Sequence, residues 1–325
     1  MAFTARINPC PSKARPLTRA VSIVSAMDIQ IPSASASGTF LIGGDLPVHR
    51  VGYGTMRLVG EGAWGEPDDP AEARRVLRRA VELGVTLIDT ADAYGPEIAE
   101  RLLCEALHPY PPDLVIATKG GITRQGPAKT ESVGRAGYLI QCVEMSLRRL
   151  KLDCIPLYQW HRIDPRTPLE ESLGALRRMQ EQGKIRHIGL SEVTPDQIQE
   201  VRKIVEVVTI QNRYSLNDRR HEETLTRCEG QGIGFLPWYP YAGGNLLRPD
   251  HPAASALAAL ASKHGATVPQ LSLAWLLHRS PVLLPIPGTS KVAHLEQNIA
   301  AVNLKLSAEQ WSEVEAAVIQ PAEQE

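Results

Sequence analysis

Two hydrophobic rhythms alternate along this chain. Short apolar runs occur at 48–54 (VHRVGYG), 85–89 (VTLID), 114–118 (LVIAT), 156–160 (PLYQW), 184–191 (KIRHIGLS), 207–211 (VVTIQ), 233–238 (IGFLPW) and 282–288 (VLLPIPG). Each reads as a largely buried β-strand. Between them the apolar residues recur at helical spacing. Asp69-Pro70 opens one helix, with Glu72 in its first turn, an apolar stripe of Val76, Leu77, Ala80 and Val81, and Gly84 at its end. The grammar repeats. Thr167-Pro168-Leu169-Glu170 reads as a capping box before a face of Leu169, Leu173 and Leu176, closed by Gly183. Thr194-Pro195-Asp196-Gln197 opens the next helix, with Ile198, Val201 and Val205 on one side. Further helices are expected over 217–229 and 307–318.

Eight strand–helix units over roughly 270 residues predict an α/β fold, a single (β/α)8 TIM barrel. Ahead of it, FLIGGDLPVHR (40–50) predicts a β-hairpin around Gly43-Gly44-Asp45 that plugs the barrel's N-terminal end. The barrel is assigned to residues 39–320 and a disordered tail to 1–38. Arg6, Lys13, Arg15 and Arg19 precede the first acidic residue, Asp28, while Pro9, Pro11 and Pro16 break any helix. A tail, or an upstream start with Met27 as the true one, is preferred to a targeting peptide. Gly243-Gly244-Asn245 suggests a longer loop after the seventh strand.

Composition narrows the partners. With 35 basic and 36 acidic residues the net charge is −1, so no global field draws the chain to nucleic acid or a membrane surface. Arg74-Arg75 and Arg78-Arg79 read as a solvated helix face. No apolar stretch approaches the ~20 residues that span a bilayer. The five cysteines (Cys10, Cys104, Cys142, Cys154 and Cys228) are scattered and form no CxxC. They suit a reducing compartment, the cytoplasm, and no metal site is expected.

Asp89, Tyr94, Lys119 and His161 each lie at or just past the end of a strand run. In a parallel barrel the strand C-termini share one rim, so the four side chains are expected to meet. An ammonium beside a phenol lowers its pKa, a carboxylate holds that ammonium, and an imidazole polarises a carbonyl. Such a set delivers a proton while hydride arrives on carbon, which calls for a nicotinamide cofactor.

The blocks GVTLIDTADAYG (84–95), IATKGG (116–121) and LYQWHRID (157–164) resemble those of the aldo-keto reductase superfamily, over about residues 39–318. The resemblance implies NAD(P)H-dependent reduction of aldehydes or ketones on a (β/α)8 barrel, with Tyr94 as acid and Asp89, Lys119 and His161 in support. It implies cofactor contacts from Thr55 and Met56 (GYGTM), Ser191 (GLSEV) and Gln211 (IQNRYSL). PWYPYAGGNL adds Trp238, Tyr239, Pro240, Tyr241 and Ala242, and IPGTSKVAHLEQNIA adds Gly288, Ser290, Lys291, His294, Gln297 and Asn298. Glu192 stands where the family often has Asn or Arg. NADPH is expected in preference to NADH, its 2′-phosphate resting on Ser290, Lys291 and His294.

The expected partner is a small-molecule carbonyl compound, with oligomerisation open. Candidate pocket walls are Met56, Trp64, Trp160 and Tyr241, which suit a ring or aliphatic carbonyl. GEGAWG (60–65) fits GxGxxG, but Glu66-Pro67 follows where a helix should open. The rival function is a nicotinamide-binding regulatory or redox-sensing subunit with little turnover, as in the potassium-channel β-subunits of the same superfamily. A Schiff-base role for Lys119 requires the uncharged amine, against which Asp89 argues.

Overall fold

The computed structural model describes residues 32–241, 246, 251 and 253–318. The chain enters as an antiparallel hairpin, β1 (Thr39–Ile42) and β2 (Leu46–His49). It continues through β3 (Tyr53–Gly54), α1 (Pro70–Glu82), β4 (Leu87–Asp89), α2 (Ile98–Leu107) and β5 (Val115–Gly120). A second hairpin, β6 (Ile122–Gly126) with β7 (Lys129–Ser132), follows, then α3 (Ala136–Leu150), β8 (Ile155–Trp160) and α4 (Leu169–Glu181). After these come β9 (Ile185–Ser191), α5 (Pro195–Arg202), β10 (Thr209–Gln211), α6 (Glu222–Gln231) and β11 (Gly234–Phe235). Four helices end the described chain: α7 (Ala254–Lys263), α8 (Val268–Arg279), α9 (Val292–Ala300) and α10 (Ala308–Ala316).

Strands β3, β4, β5, β8, β9, β10 and β11 form one parallel sheet in that order. Residues 282–288 close it into a barrel. The N–H of Phe235 donates to Val282 O and that of Leu284 to Phe235 O, both at 2.8 Å. On the far side Gly52 N–H donates to Pro285 O at 2.9 Å and Gly54 N–H to Pro287 O at 3.3 Å. Pro285 and Pro287 carry no N–H, so the expected eighth strand is an irregular stave that accepts from β3 without donating back through them.

Side-chain parity organises the interior. Leu87, Val115, Ala117, Leu157, Val208, Leu236, Leu284 and Ile286 form an apolar cluster with Ile42, Leu46 and Val48 of the hairpin. The hairpin therefore plugs the barrel, as expected. Asp45 clamps it from its turn, accepting from Arg186 Nη2 at 2.6 Å and lying 2.7 Å from His187 Nε2. Gly43 has φ +61, and a Cβ there would sit 2.4 Å from His187 Cε1, so only glycine fits. Two residues further along the strands, on the same inner face, stand Asp89, Lys119 and Gln159. Trp160 has the opposite parity and packs outside the barrel with Leu139, Leu173 and Leu176.

Several helix starts match their sequence signals. Asp69 accepts from Glu72 N–H at 2.9 Å, and Thr194/Gln197 form a two-way capping box. Ser307 caps α10 in the same way. Thr167 does not cap α4. Its hydroxyl donates to Asp164 Oδ2 at 3.1 Å, and the N-cap is Pro168, with no side-chain bond. Within 48–54, residues 48–49 belong to β2 and only Tyr53–Gly54 to the barrel. The helix expected over 217–229 starts later, at Glu222, because Ser215 and Asp218 pair first as an antiparallel bridge. Residues 34–37, placed in the expected tail, are among the described residues. Ala34–Ser37 make a 3-10 turn with Ala34 buried, its N–H donating to Leu83 O at 2.8 Å. GEGAWG folds as a 3-10 turn at Glu61–Ala63, and Trp64 bridges to Gly95. The Gly243-Gly244-Asn245 loop lies outside the described residues. No described helix is long and apolar enough to cross a membrane.

Candidate active site

Asp89 ends β4, Lys119 stands near the end of β5, and His161 directly follows β8. Tyr94 comes from the turn after β4. Gly95 makes that turn possible, with φ +107 and no room for a Cβ, which would lie 2.4 Å from Ile98 Cβ. The four side chains meet as the sequence suggests. Lys119 Nζ lies 2.6 Å from Asp89 Oδ2, 3.2 Å from Tyr94 Oη and 2.9 Å from Thr90 O. The Tyr94 and His161 rings meet edge to face at 6.0 Å. Two amides absent from the expected tetrad complete it. Gln159 Nε2 and Gln211 Nε2 donate to Asp89 Oδ1 at 3.0 and 2.7 Å. Gln211, expected to contact the cofactor, thus holds the carboxylate through its side-chain amide.

Burial sets the charges. The Lys119 side chain is 0% exposed and that of Asp89 3%. Desolvation pulls the lysine pKa down, but Asp89 and Tyr94 outweigh it, and Lys119 is held above its ordinary value as an ammonium. Tyr94 departs from expectation. Burial raises its pKa by more than Lys119 lowers it, so the phenol is a weaker acid than in water. His161 is driven well below its usual value by burial, Lys119, Arg162 and Arg124, and is a neutral imidazole. Its Nδ1 is enclosed without a partner among the described residues.

A cavity of about 320 Å³ opens over these groups, bordered by Met56, Tyr94, His161, Ser191, Trp238 and Tyr241. Gln211, Tyr239, Pro240 and Gly288 also line it. Ser290, His294, Gln297 and Asn298 line a second cavity of about 790 Å³, which shares Met56, Tyr241 and Gly288 with the first. Lys291 is exposed beside this second cavity without lining it. The two cavities make one long channel, aromatic at the tetrad and polar at its far end. This shape and donor set fit a nicotinamide dinucleotide.

Not every expected cofactor or wall residue is placed at the cavity walls. Thr55 is fully buried below the channel and donates to Thr90 Oγ1 at 2.9 Å. Ala242 lies outside the described residues. Of the four expected walls, Met56 and Tyr241 line the tetrad cavity. Trp160 does not, because of its parity, and Trp64 lies to one side under the Arg124 guanidinium. Arg57, Arg124 and Arg162, not singled out from the sequence, line the cavity instead. Glu192 turns away at φ +55 and accepts from Trp238 Nε1 and from Arg213 N–H. This unusual residue therefore locks the indole that faces the channel.

One acid outside the tetrad is held protonated to unusually high pH. Asp92 is pushed up to about 8 by burial and the Glu100 charge, and its Oδ1 has no partner among the described residues. The folded state then binds a proton that the unfolded chain releases from about 3.8 upward. The contribution of Asp92 to stability should be complete below about pH 4 and lost as pH rises through about 8. Urea unfolding across that window should show this decline, and Asp92→Asn should flatten it. An unchanged slope in the variant would exclude Asp92 as its source.

A parallel (β/α)8 barrel with a carboxylate, a phenol, an ammonium and an imidazole at its C-terminal rim defines a class of nicotinamide-dependent reductases. Residues 50–319 match the model of the Aldo/keto reductase family. An uncharacterised oxidoreductase of Schizosaccharomyces pombe is 46% identical over 87% of this chain and 90% of its own length. A pyridoxine 4-dehydrogenase of Escherichia coli is 42% identical over 84% and 96% of the respective lengths. An aldo-keto reductase from Klebsiella pneumoniae, solved with NADPH, superposes at a TM-score of 0.75 with 27% identity over 87% of this chain and 96% of that one. The chain belongs to the Aldo/keto reductase family and is an NAD(P)H-dependent oxidoreductase.

Proposed function

We infer that the protein reduces an aldehyde or ketone to the alcohol with NADPH, and that Tyr94 supplies the proton. The observation that carries this reading is Lys119 Nζ, held between Asp89 at 2.6 Å and Tyr94 Oη at 3.2 Å under an open cavity. When bound, the cofactor supplies hydride to the carbonyl carbon. The C=O π electrons move to oxygen, and that oxygen takes the proton from Tyr94 Oη. The resulting phenolate forms beside the Lys119 ammonium, which stabilises it. Neutral His161 donates a hydrogen bond to the same oxygen and polarises the carbonyl. Asp89, fixed by Gln159 and Gln211, keeps Lys119 charged and in place.

Trp238 and Ser191 border the nicotinamide end, and Ser290, Lys291 and His294 suit a 2′-phosphate, which favours NADPH over NADH. Pyridoxal-type aldehydes enter as substrates through the likeness to the pyridoxine 4-dehydrogenase.

The direct test titrates NADPH and NADH by fluorescence and then follows absorbance decay with 4-nitrobenzaldehyde and pyridoxal. Tighter NADPH binding with turnover supports the reading. Binding without turnover across several aldehydes moves it to a regulatory subunit, and no binding of either nucleotide removes it.

A further inference from the structure

The cavity over the tetrad is rich in unbalanced positive charge. Arg57, Arg124 and Arg162 line it, against one carboxylate, Asp89, which is committed to Lys119. Arg57 and Arg124 also border the second cavity, and Arg162 borders the tetrad cavity alone. Arg124 and Arg162, unlike Arg57, are close enough for their charges to act on His161 of the tetrad. Arg124 comes from β6, and its Nη2 donates to the carbonyls of Gly62 and Ala63, the latter at 2.8 Å. Its guanidinium lies 6.0 Å from the Trp64 ring, and its Nε is enclosed with no partner among the described residues. Arg162 donates through Nη1 to the His161 carbonyl at 2.7 Å and to Ser191 Oγ at 3.0 Å.

Neither arginine makes an ion pair with a described carboxylate. Burial lowers the pKa of both, and both act on His161 from nearby. Among the described residues the carboxylate charge acting on Arg162 is that of Glu192, whose Oε1 is taken up by Trp238 and Arg213. Partly desolvated guanidinia without an ion-pair partner in contact are costly, and a ligand oxyanion reduces that cost. Their planar forks match carboxylate and phosphate oxygens.

We propose that the substrate carries an oxyanion group, a carboxylate or a phosphate monoester, held between Arg124 and Arg162 while its carbonyl faces Tyr94 and His161. The proposal rests on the reductase reading and adds an oxyanion to the ring or aliphatic carbonyl compound expected from the sequence.

The test measures kcat/KM with NADPH for two matched pairs, 4-carboxybenzaldehyde against benzaldehyde and pyridoxal 5′-phosphate against pyridoxal. The anionic member of at least one pair should be preferred by about tenfold or more, and the pair that shows it identifies carboxylate or phosphate. Arg124→Gln and Arg162→Gln should each reduce that preference by about tenfold, mainly through KM, and Arg124→Lys should restore part of it. If the carboxylate pair shows it, calorimetry with the product 4-(hydroxymethyl)benzoate should show the same loss of affinity.

A preference near unity, or one unchanged in the glutamine variants, overturns the proposal. So does a loss of NADPH affinity in those variants with the preference intact, which would give the arginines to the cofactor. No turnover of any of the four aldehydes would instead overturn the reductase reading, and this proposal with it.

Discussion

Replacing Tyr94 by phenylalanine should lower kcat for carbonyl reduction by about 10²–10⁴-fold, the usual worth of a positioned general acid. NADPH affinity should stay within about twofold, because the change removes one oxygen and leaves the channel walls in place. The fold should also hold. Lys119 loses its 3.2 Å partner but keeps Asp89 and the Thr90 carbonyl. The raised pKa of Tyr94 adds a pH signature. A phenol held above its ordinary value keeps its proton through the neutral range, so reduction should be flat there and decline only on the strongly alkaline side. Stopped-flow turnover with a parallel fluorescence titration checks both halves. Retained turnover would move the proton donor to another group. Joint loss of turnover and cofactor binding would make Tyr94 structural.

The sequence was legible where one residue type does one job. The tetrad could be found because strand ends share a rim and the four groups make chemical sense together. The hairpin plug could be found because glycines mark its turn. Trp160 was misplaced for want of parity. His161 faces inward, so its neighbour in the same extended run faces out, and alternation alone would have removed Trp160 from the pocket. The β6–β7 hairpin was missed because ITRQGPAKTES has no apolar alternation. Arg124, the residue it carries, went unseen with it. Arg162 adjoins a flagged histidine, yet no spacing rule shows that an arginine lacks a counter-ion. The rise in the Tyr94 pKa was hidden for the same reason. Lys119 and burial oppose each other there, and the sequence names the lysine without giving the depth of the pocket. Glu192 looked like a lost cofactor contact, and only the fold reveals its bond to Trp238.

Lys119→Met should be costly in both stability and activity, and the two losses should separate in a double variant. The lysine is fully buried and the Asp89 side chain nearly so. Removing the ammonium leaves Asp89 with amide donors on Oδ1 from Gln159 and Gln211, and Oδ2 loses its 2.6 Å partner. Breaking one side of a buried pair typically costs about 3–5 kcal/mol, since an uncompensated charge stays behind. Urea unfolding should show a loss of that order, with the midpoint falling and the slope unchanged. In Asp89→Leu/Lys119→Met both charges go, and apolar groups of similar volume meet the apolar interior layer below. That double variant should recover part of the lost stability, less the cost of the Gln159 and Gln211 amides left without their Asp89 acceptor. It should recover no turnover, because Tyr94 then has no ammonium to stabilise its phenolate. Such a split would mean that the pair is kept for proton delivery, and that the barrel folds despite it. If the double variant stays as unstable as the single one, the pair is a structural strut, and the chemical case rests on Tyr94 and His161 alone.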